Sequence, residues 1–233
     1  MITLDDLKSN RDTQITVVCI VFFLIAFPGY FAMKGGDASG SGAMGGVANY
    51  NVNGELTYVQ IADGIEYIAD GETLMIDNLH TDAVDDAEDM NIVGVRVMMS
   101  YGEDESGRGP PCLSQTAADT ITGSATHGEF TGSADGQNGG QNGGHDVVVE
   151  WFISSMVGAT VSGLSESEIV SQIDSMGAGL GAYSADIGVT AQADGCVNPL
   201  LPDNEDNGEE VTYSVELIIF DYTIAPAFDE SEL

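Results

Sequence analysis

The run Asp203-Asn204-Glu205-Asp206-Asn207-Gly208-Glu209-Glu210 gathers hard oxygen donors at close spacing. Carboxylate and amide oxygens at alternate positions are what a Ca²⁺ loop needs, and the front half of an EF-hand reads D-x-[DN]-x-[DN]-G. Glu205 departs from that pattern, and Ser214 stands where the twelfth-position glutamate would be required, so this is not an EF-hand. A looser calcium loop between two strands, with Asp203, Glu205, Asn207 and Glu209 as ligands, is the one cofactor site the sequence offers. The alternative is that these acids belong to a general adaptation to saline surroundings. Glu103, Asp104 and Glu105 form a second acidic loop.

Cys112 and Cys196 are the only cysteines outside the first 34 residues. An even pair in an exported domain predicts a disulfide. It would close a loop of roughly 85 residues and contribute about 4–5 kcal/mol in the chain-entropy model. Two reduced, buried thiols are the other reading. His80, His127 and His145 stand apart, with no H-x-x-x-H or C-x-x-C spacing to hold a transition metal. His145, beside Asp146, reads as loop surface. No G-x-S-x-G motif accompanies the Ser, His and Asp residues, so no catalytic constellation is assigned and the chain is expected not to be an enzyme.

These residues lie in a chain with 5 Lys+Arg against 38 Asp+Glu and a formal net charge of −33. Residues 1–34 are balanced, with Lys8, Arg11 and Lys34 against Asp5, Asp6 and Asp12, so the whole imbalance falls on the rest. Without a cationic surface there are no counterions to release from phosphates, which excludes nucleic-acid binding. Self-repulsion at this density calls for salt or divalent cations to screen it. Disorder does not follow, because 43% of the residues are hydrophobic and they fall in patterned runs.

The strongest organising element is the apolar run 15–33, ITVVCIVFFLIAFPGYFAM, 19 residues without a charge. As a helix it spans roughly 28 Å, close to the hydrocarbon thickness of a bilayer. Ile15, Phe22, Phe23 and Phe27 belong to the expected membrane span, and no polar stripe marks it as a core helix. Ala32-Met33-Lys34 is a poor cleavage site, so an uncleaved signal anchor is expected, with late cleavage in the small residues Ala38 to Gly46 as the alternative. Two cations precede the run and one follows it, which with the cysteines places the N-terminus in the cytoplasm and the acidic domain outside the cell membrane. Lipid is therefore one partner. An envelope protein or further copies of the chain are the others considered.

The expected organisation is a cytoplasmic tail at 1–14, the span at 15–33, a Gly/Ser-rich tether at 34–50, an extracellular domain at 51–225 and an acidic, frayed tail at 226–233. Period-two patterning predicts strands at Gly54–Gly64, Ile65–Ile68 and Thr73–Ile76, with a turn at Ala69-Asp70-Gly71. TDAVDDAED, residues 81–89, reads as a surface loop or an acidic helical turn. Asn91–Tyr101 is the clearest strand, with Val93, Val95, Val97 and Met99 on its core face. A further strand is predicted within Ala117–Ala125, centred on Ile121. TGSADGQNGGQNGGH, residues 131–145, reads as a flexible loop or glycine-rich turn. Val147–Ser155 is predicted as a buried strand with Trp151 as core anchor; a carbohydrate platform there would need exposed aromatics nearby. Ser165 and Glu168 form a capping box, which with Ile169, Ile173 and Met176 predicts a helix over 166–176 ended by Gly177. Tyr183–Ala193 and Val211–Ile224 close the domain as strands. The fold class is thus all-β, an antiparallel β-sandwich of jelly-roll or immunoglobulin-like type with one short helix, preceded by a single transmembrane helix.

The segments NIVGVRVMMSYGEDE and DNEDNGEEVTYSVEL, each joining a strand to an acidic or D/N/G-rich turn, resemble those of acidic, membrane-anchored β-sandwich proteins of planktonic marine archaea. The resemblance covers about residues 90–224 and implies architecture more than function. The anchored acidic domain itself is expected to be an envelope structural or binding component, or an accessory subunit presented on a tether. The helix at 166–176 and the QNGG repeat depart from it. Archaeal pilins and archaellins are the rival resemblance, since they also set one apolar helix before a β-rich domain. Asp12-Thr13-Gln14 lacks their processing junction, and Pro28-Gly29 interrupts the helix.

Overall fold

A computed structural model describes residues 48–102, 117–138, 142–193 and 206–227. Nine strands and one α-helix are found among them: β1 (Ala48–Ala69), β2 (Thr73–His80), β3 (Ile92–Tyr101), β4 (Thr120–His127), β5 (Phe130–Gln137), β6 (Gly143–Glu150), β7 (Thr160–Leu164), α1 (Glu166–Ile173), β8 (Ala182–Thr190) and β9 (Gly208–Pro226). They form a five-stranded sheet in the order β6-β3-β9-β1-β7 and a four-stranded sheet in the order β2-β8-β4-β5. All recorded pairings are antiparallel. No described helix is long and apolar enough to cross a membrane; the 15–33 run lies outside the described residues.

One core joins the two sheets. Val95, Val97, Met99 and Tyr101 of β3, Val211, Val215, Leu217 and Ile219 of β9, and Tyr183, Ala185, Ile187 and Val189 of β8 are all buried in it. The period-two alternation of these three strands is what the fold rests on. A second core lies on the outer face of the five-stranded sheet, where α1 and the segment carrying Phe152, Met156 and Val157 cover Val52, Val93, Ile218 and Phe220. The register shift between Ile92 and Gly94 explains an exception in β3. At this bulge the strand rotates, so Ile92 joins the first core while Val93 turns to the second.

β1 is a single strand, not the two that the pattern suggests, and it opens at Ala48, inside the segment expected as tether. β9 likewise runs to Pro226, the first residue of the expected tail, which pairs with Tyr50. The Ala69-Asp70-Gly71 turn is present but does not make a hairpin. It carries the chain from one sheet to the other, because β1 pairs with β9 and β7 while β2 pairs with β8. Gly71 supplies the positive φ, and its N–H donates to Val189 O at 2.9 Å. Residues 81–89 form two short 3₁₀ turns, Thr81–Ala83 and Ala87–Asp89.

The loop expected at 131–145 is overturned: most of it is β5 and the start of β6. Its glycines serve close packing. A Cβ on Gly136 would overlap the Tyr101 hydroxyl and the His145 ring, and one on Gly132 would stand 2.9 Å from Val149 Cγ2. The strand expected to continue to Ser155 ends at Glu150, and it is half-buried, with Val147 and Val149 inward and Val148 outward. His145, expected on a loop surface, is part of β6; its Nε2 donates to Ala134 O at 3.2 Å and its Nδ1 accepts from the Tyr101 hydroxyl at 3.1 Å.

The capping box forms as expected. Ser165 Oγ accepts from Glu168 N, and Ser165 N donates to the Glu168 carboxylate at 2.7 Å. Those bonds hold the Glu168 carboxyl below its ordinary range, so the cap weakens as pH falls through it. Ser165→Ala is expected to cost about 1 kcal/mol, read as a shift in the denaturant midpoint. The helix nevertheless stops at Ile173 rather than 176. Asn91 Nδ2 donates to Ile173 O at 3.0 Å and Asn91 Oδ1 accepts from Ser175 N at 2.8 Å. Met176, expected on the buried helix face, is 71% exposed with φ 51°.

Candidate functional site

At one end of the sandwich the segment Asp174–Gly181 crosses from α1 to β8. Three of its residues, Met176, Gly177 and Gly181, have positive φ, a conformation that only outside restraint keeps populated in a non-glycine residue. Side chains from five other places provide that restraint. Asn91 holds Ser175, and Thr81 Oγ1 accepts from Gly181 N at 3.0 Å. The Tyr183 hydroxyl donates to Gly179 O, and His127 Nε2 meets Ala178 O at 2.6 Å. Asp174 accepts from the Tyr222 hydroxyl at 2.7 Å.

Beside this segment lies a cleft of 460 Å³, lined by His80, Thr81, Asp82, Glu88, Leu180 and Gly181 among others. The carboxylates of Asp82 and Glu88 give it acceptors for hydroxyl or cationic groups, and Leu180 gives it an apolar wall. Four rings cluster next to the segment, from the core to the surface. Tyr183 stacks on His127 at 4.1 Å, His127 meets Trp151 at 5.1 Å, and Trp151 stacks on Phe130 at 5.1 Å. Tyr183 and His127 are buried and Phe130 is 38% exposed. Trp151 is half-buried just past β6 and donates its indole N–H to Ile92 O at 2.9 Å. It does anchor the core, and Phe130 is the exposed aromatic neighbour that the sequence did not reveal.

Burial raises the Tyr183 phenol. Tyr222 is pushed up to about 12, first by desolvation and then by its bond to Asp174. Its neutral form is thus favoured in the folded state, so its contribution to stability is complete below the ordinary tyrosine range near 10 and is lost as pH rises toward about 12. An absorbance titration of tyrosinate is expected to show a late-ionising group that Tyr222→Phe removes.

The sequence-derived site residues lie elsewhere. Cys112, Cys196, Asp203 and Glu205 fall outside the described residues, as do Ile15, Phe22, Phe23 and Phe27. Asn207 is exposed, whereas Glu209 is 1% exposed and accepts from Asn138 Nδ2 at 3.3 Å. Asn138 also donates to buried Asp119 at 3.2 Å, and Asp119 accepts from Gln192 N at 2.7 Å. Asn207 and Glu209 are therefore in different surroundings, one in solvent and one in the interior. Among the described residues no group of three His, Cys, Asp or Glu side chains is placed to hold a metal. His127 and Asn91 carried no sequence signal, because their partners are backbone groups of a segment far along the chain.

No protein-family model matches the sequence, and no curated protein matches it either.

Proposed function

We propose that this chain is a non-enzymatic, single-span membrane protein whose acidic β-sandwich acts outside the cell as an envelope structural or binding component. The observation that carries the proposal is the uncharged 15–33 run followed, a short segment later, by a two-sheet domain that begins at Ala48. The run supplies an anchor in lipid with the N-terminus cytoplasmic. The sandwich, read as a jelly-roll or immunoglobulin-like variant, supplies the presented surface. A binding rather than catalytic role is supported by what the site's polar groups do. Asn91, Thr81, His127 and Tyr183 spend their hydrogen bonds on backbone groups of one segment and so fix the wall of a cleft.

The rival reading is a pilin-like filament subunit, favoured by the same order of apolar run and β domain. Negative-stain microscopy of the full-length protein, purified gently from its native membrane, separates the two. Discrete particles with fixed co-purifying proteins are expected. Regular filaments that depend on the apolar run would overturn the anchor reading.

A further inference from the structure

His127 is buried, and each of its ring nitrogens faces a backbone carbonyl: Nδ1 lies 3.0 Å from Ala182 O and Nε2 lies 2.6 Å from Ala178 O. A carbonyl oxygen accepts and never donates. Neutral imidazole has one N–H and one bare lone pair, so it satisfies one such carbonyl and repels the other; only imidazolium donates to both. His145 shows the contrast, with one carbonyl and one hydroxyl, a set that a neutral ring satisfies. The surroundings of His127 suit a cation as well. Its ring stacks on Tyr183 at 4.1 Å and has the tilted Trp151 ring at 5.1 Å, and aromatic faces attract positive charge.

From this geometry we propose that His127 is a pH-operated latch, imidazolium when the Asp174–Gly181 segment is closed and releasing that segment when it loses a proton. The proton leaves a ring nitrogen for solvent, and a lone pair then points at a carbonyl oxygen. Ala182 O is fixed by the pairing of β8 with β2, so relief comes through Ala178. The segment it restrains already holds Met176 at positive φ and forms the Leu180–Gly181 wall of the cleft. Deprotonation therefore opens the cleft wall, and acidification closes it. The titratable neighbours do not replace this control. Tyr183 from β8 donates its hydroxyl to Gly179 O, Asp174 at the start of the segment is engaged by Tyr222 and Met176 N, and Glu129 in the β4–β5 turn is exposed. Among the described residues no carboxylate reaches ion-pair distance of the His127 ring.

Three measurements on the full chain in detergent test the latch. The chain has three histidines, so ¹⁵N imidazole resonances are assigned by replacing His80 and His145 with Gln in turn. At acid pH both His127 nitrogens are expected to carry protons, and one is lost as pH rises; a bare nitrogen on the closed, acid side would overturn the proposal. Trp151 is the sole tryptophan and touches the ring, so protonated His127 is expected to quench it. Its emission should rise in a single titration that coincides with the ¹⁵N change and with faster amide exchange at Ala178–Gly181. His127→Gln should abolish the titration, and His80→Gln should leave it intact. Emission that titrates identically in His127→Gln, or amide exchange at Ala178–Gly181 whose opening is insensitive to pH after correction for intrinsic rates, would also overturn it. The ¹⁵N experiment decides the matter in the unmodified protein if His127→Gln does not fold.

Discussion

Replacing Phe220 with alanine is expected to destabilise the domain by about 3–5 kcal/mol, the range for removing a large aromatic from a closed core. Phe220 is completely buried and central to the second core, between Phe152 at 5.7 Å and Tyr222 at 5.6 Å. Val52, Val93, Ile169, Ile173 and Ile218 complete the shell, and they come from β1, β3, α1 and β9. The backbone leaves little room to collapse into the void. Gly54 already approaches so closely that a Cβ there would lie 2.7 Å from Phe220 Cε2. Urea unfolding followed by tyrosine and tryptophan signals should show one transition at a lower midpoint, and Phe220→Leu should recover much of the loss. A loss below about 1 kcal/mol would mean that the layer carried by α1 unfolds apart from the sandwich.

Gly208→Ala should be nearly as damaging, for a different reason. Gly208 has φ 137°, and an added Cβ would overlap Ile68 O and stand 2.6 Å from Ala69 Cα. Both obstacles are backbone, so neither moves aside by changing rotamer. Strain alone costs on the order of 1–3 kcal/mol, and the overlap adds the opening of the final rungs that pair Ala69 with Gly208 and Ile68 with Glu209. Gly71→Ala is the matched control, because Gly71 also has positive φ, 76°, but meets nothing within 4 Å. Thermal unfolding should place Gly208→Ala well below Gly71→Ala. Equal losses would show that backbone conformation, not overlap, sets the cost.

The sequence was readable where side chains alternate between oil and water. The core faces of β3, β8 and β9 follow directly from Val95-Val97-Met99, Tyr183-Ala185-Ile187-Val189 and Val211-Val215-Leu217-Ile219. The start of α1 was also visible, because a capping box is local chemistry between Ser165 and Glu168. What escaped was set by distant partners. β5 looked like a loop because Gly132 and Gly136 are there for the side chains of β3 and β6, not for flexibility. The end of α1 is fixed by Asn91, 82 residues before Ile173. The loops expected to carry chemistry, around Cys112, Cys196, Asp203 and Glu205, lie outside the described residues. The segment between α1 and β8 is held instead by a histidine that had no motif around it.

The pairing of β1 with β9 bears on how the domain responds to mechanical tension. The two strands are antiparallel neighbours matched from Tyr50–Pro226 to Ala69–Gly208. A pull delivered at Ala48, along β1, acts parallel to that ladder and perpendicular to its hydrogen bonds. The rungs then resist together, in shear, instead of parting one after another as they would if peeled from an end. β3 backs β9 from the other side, so the strained strand cannot slide without disturbing the centre of the five-stranded sheet. Under such a pull the sheets keep their register until the whole ladder gives way at once.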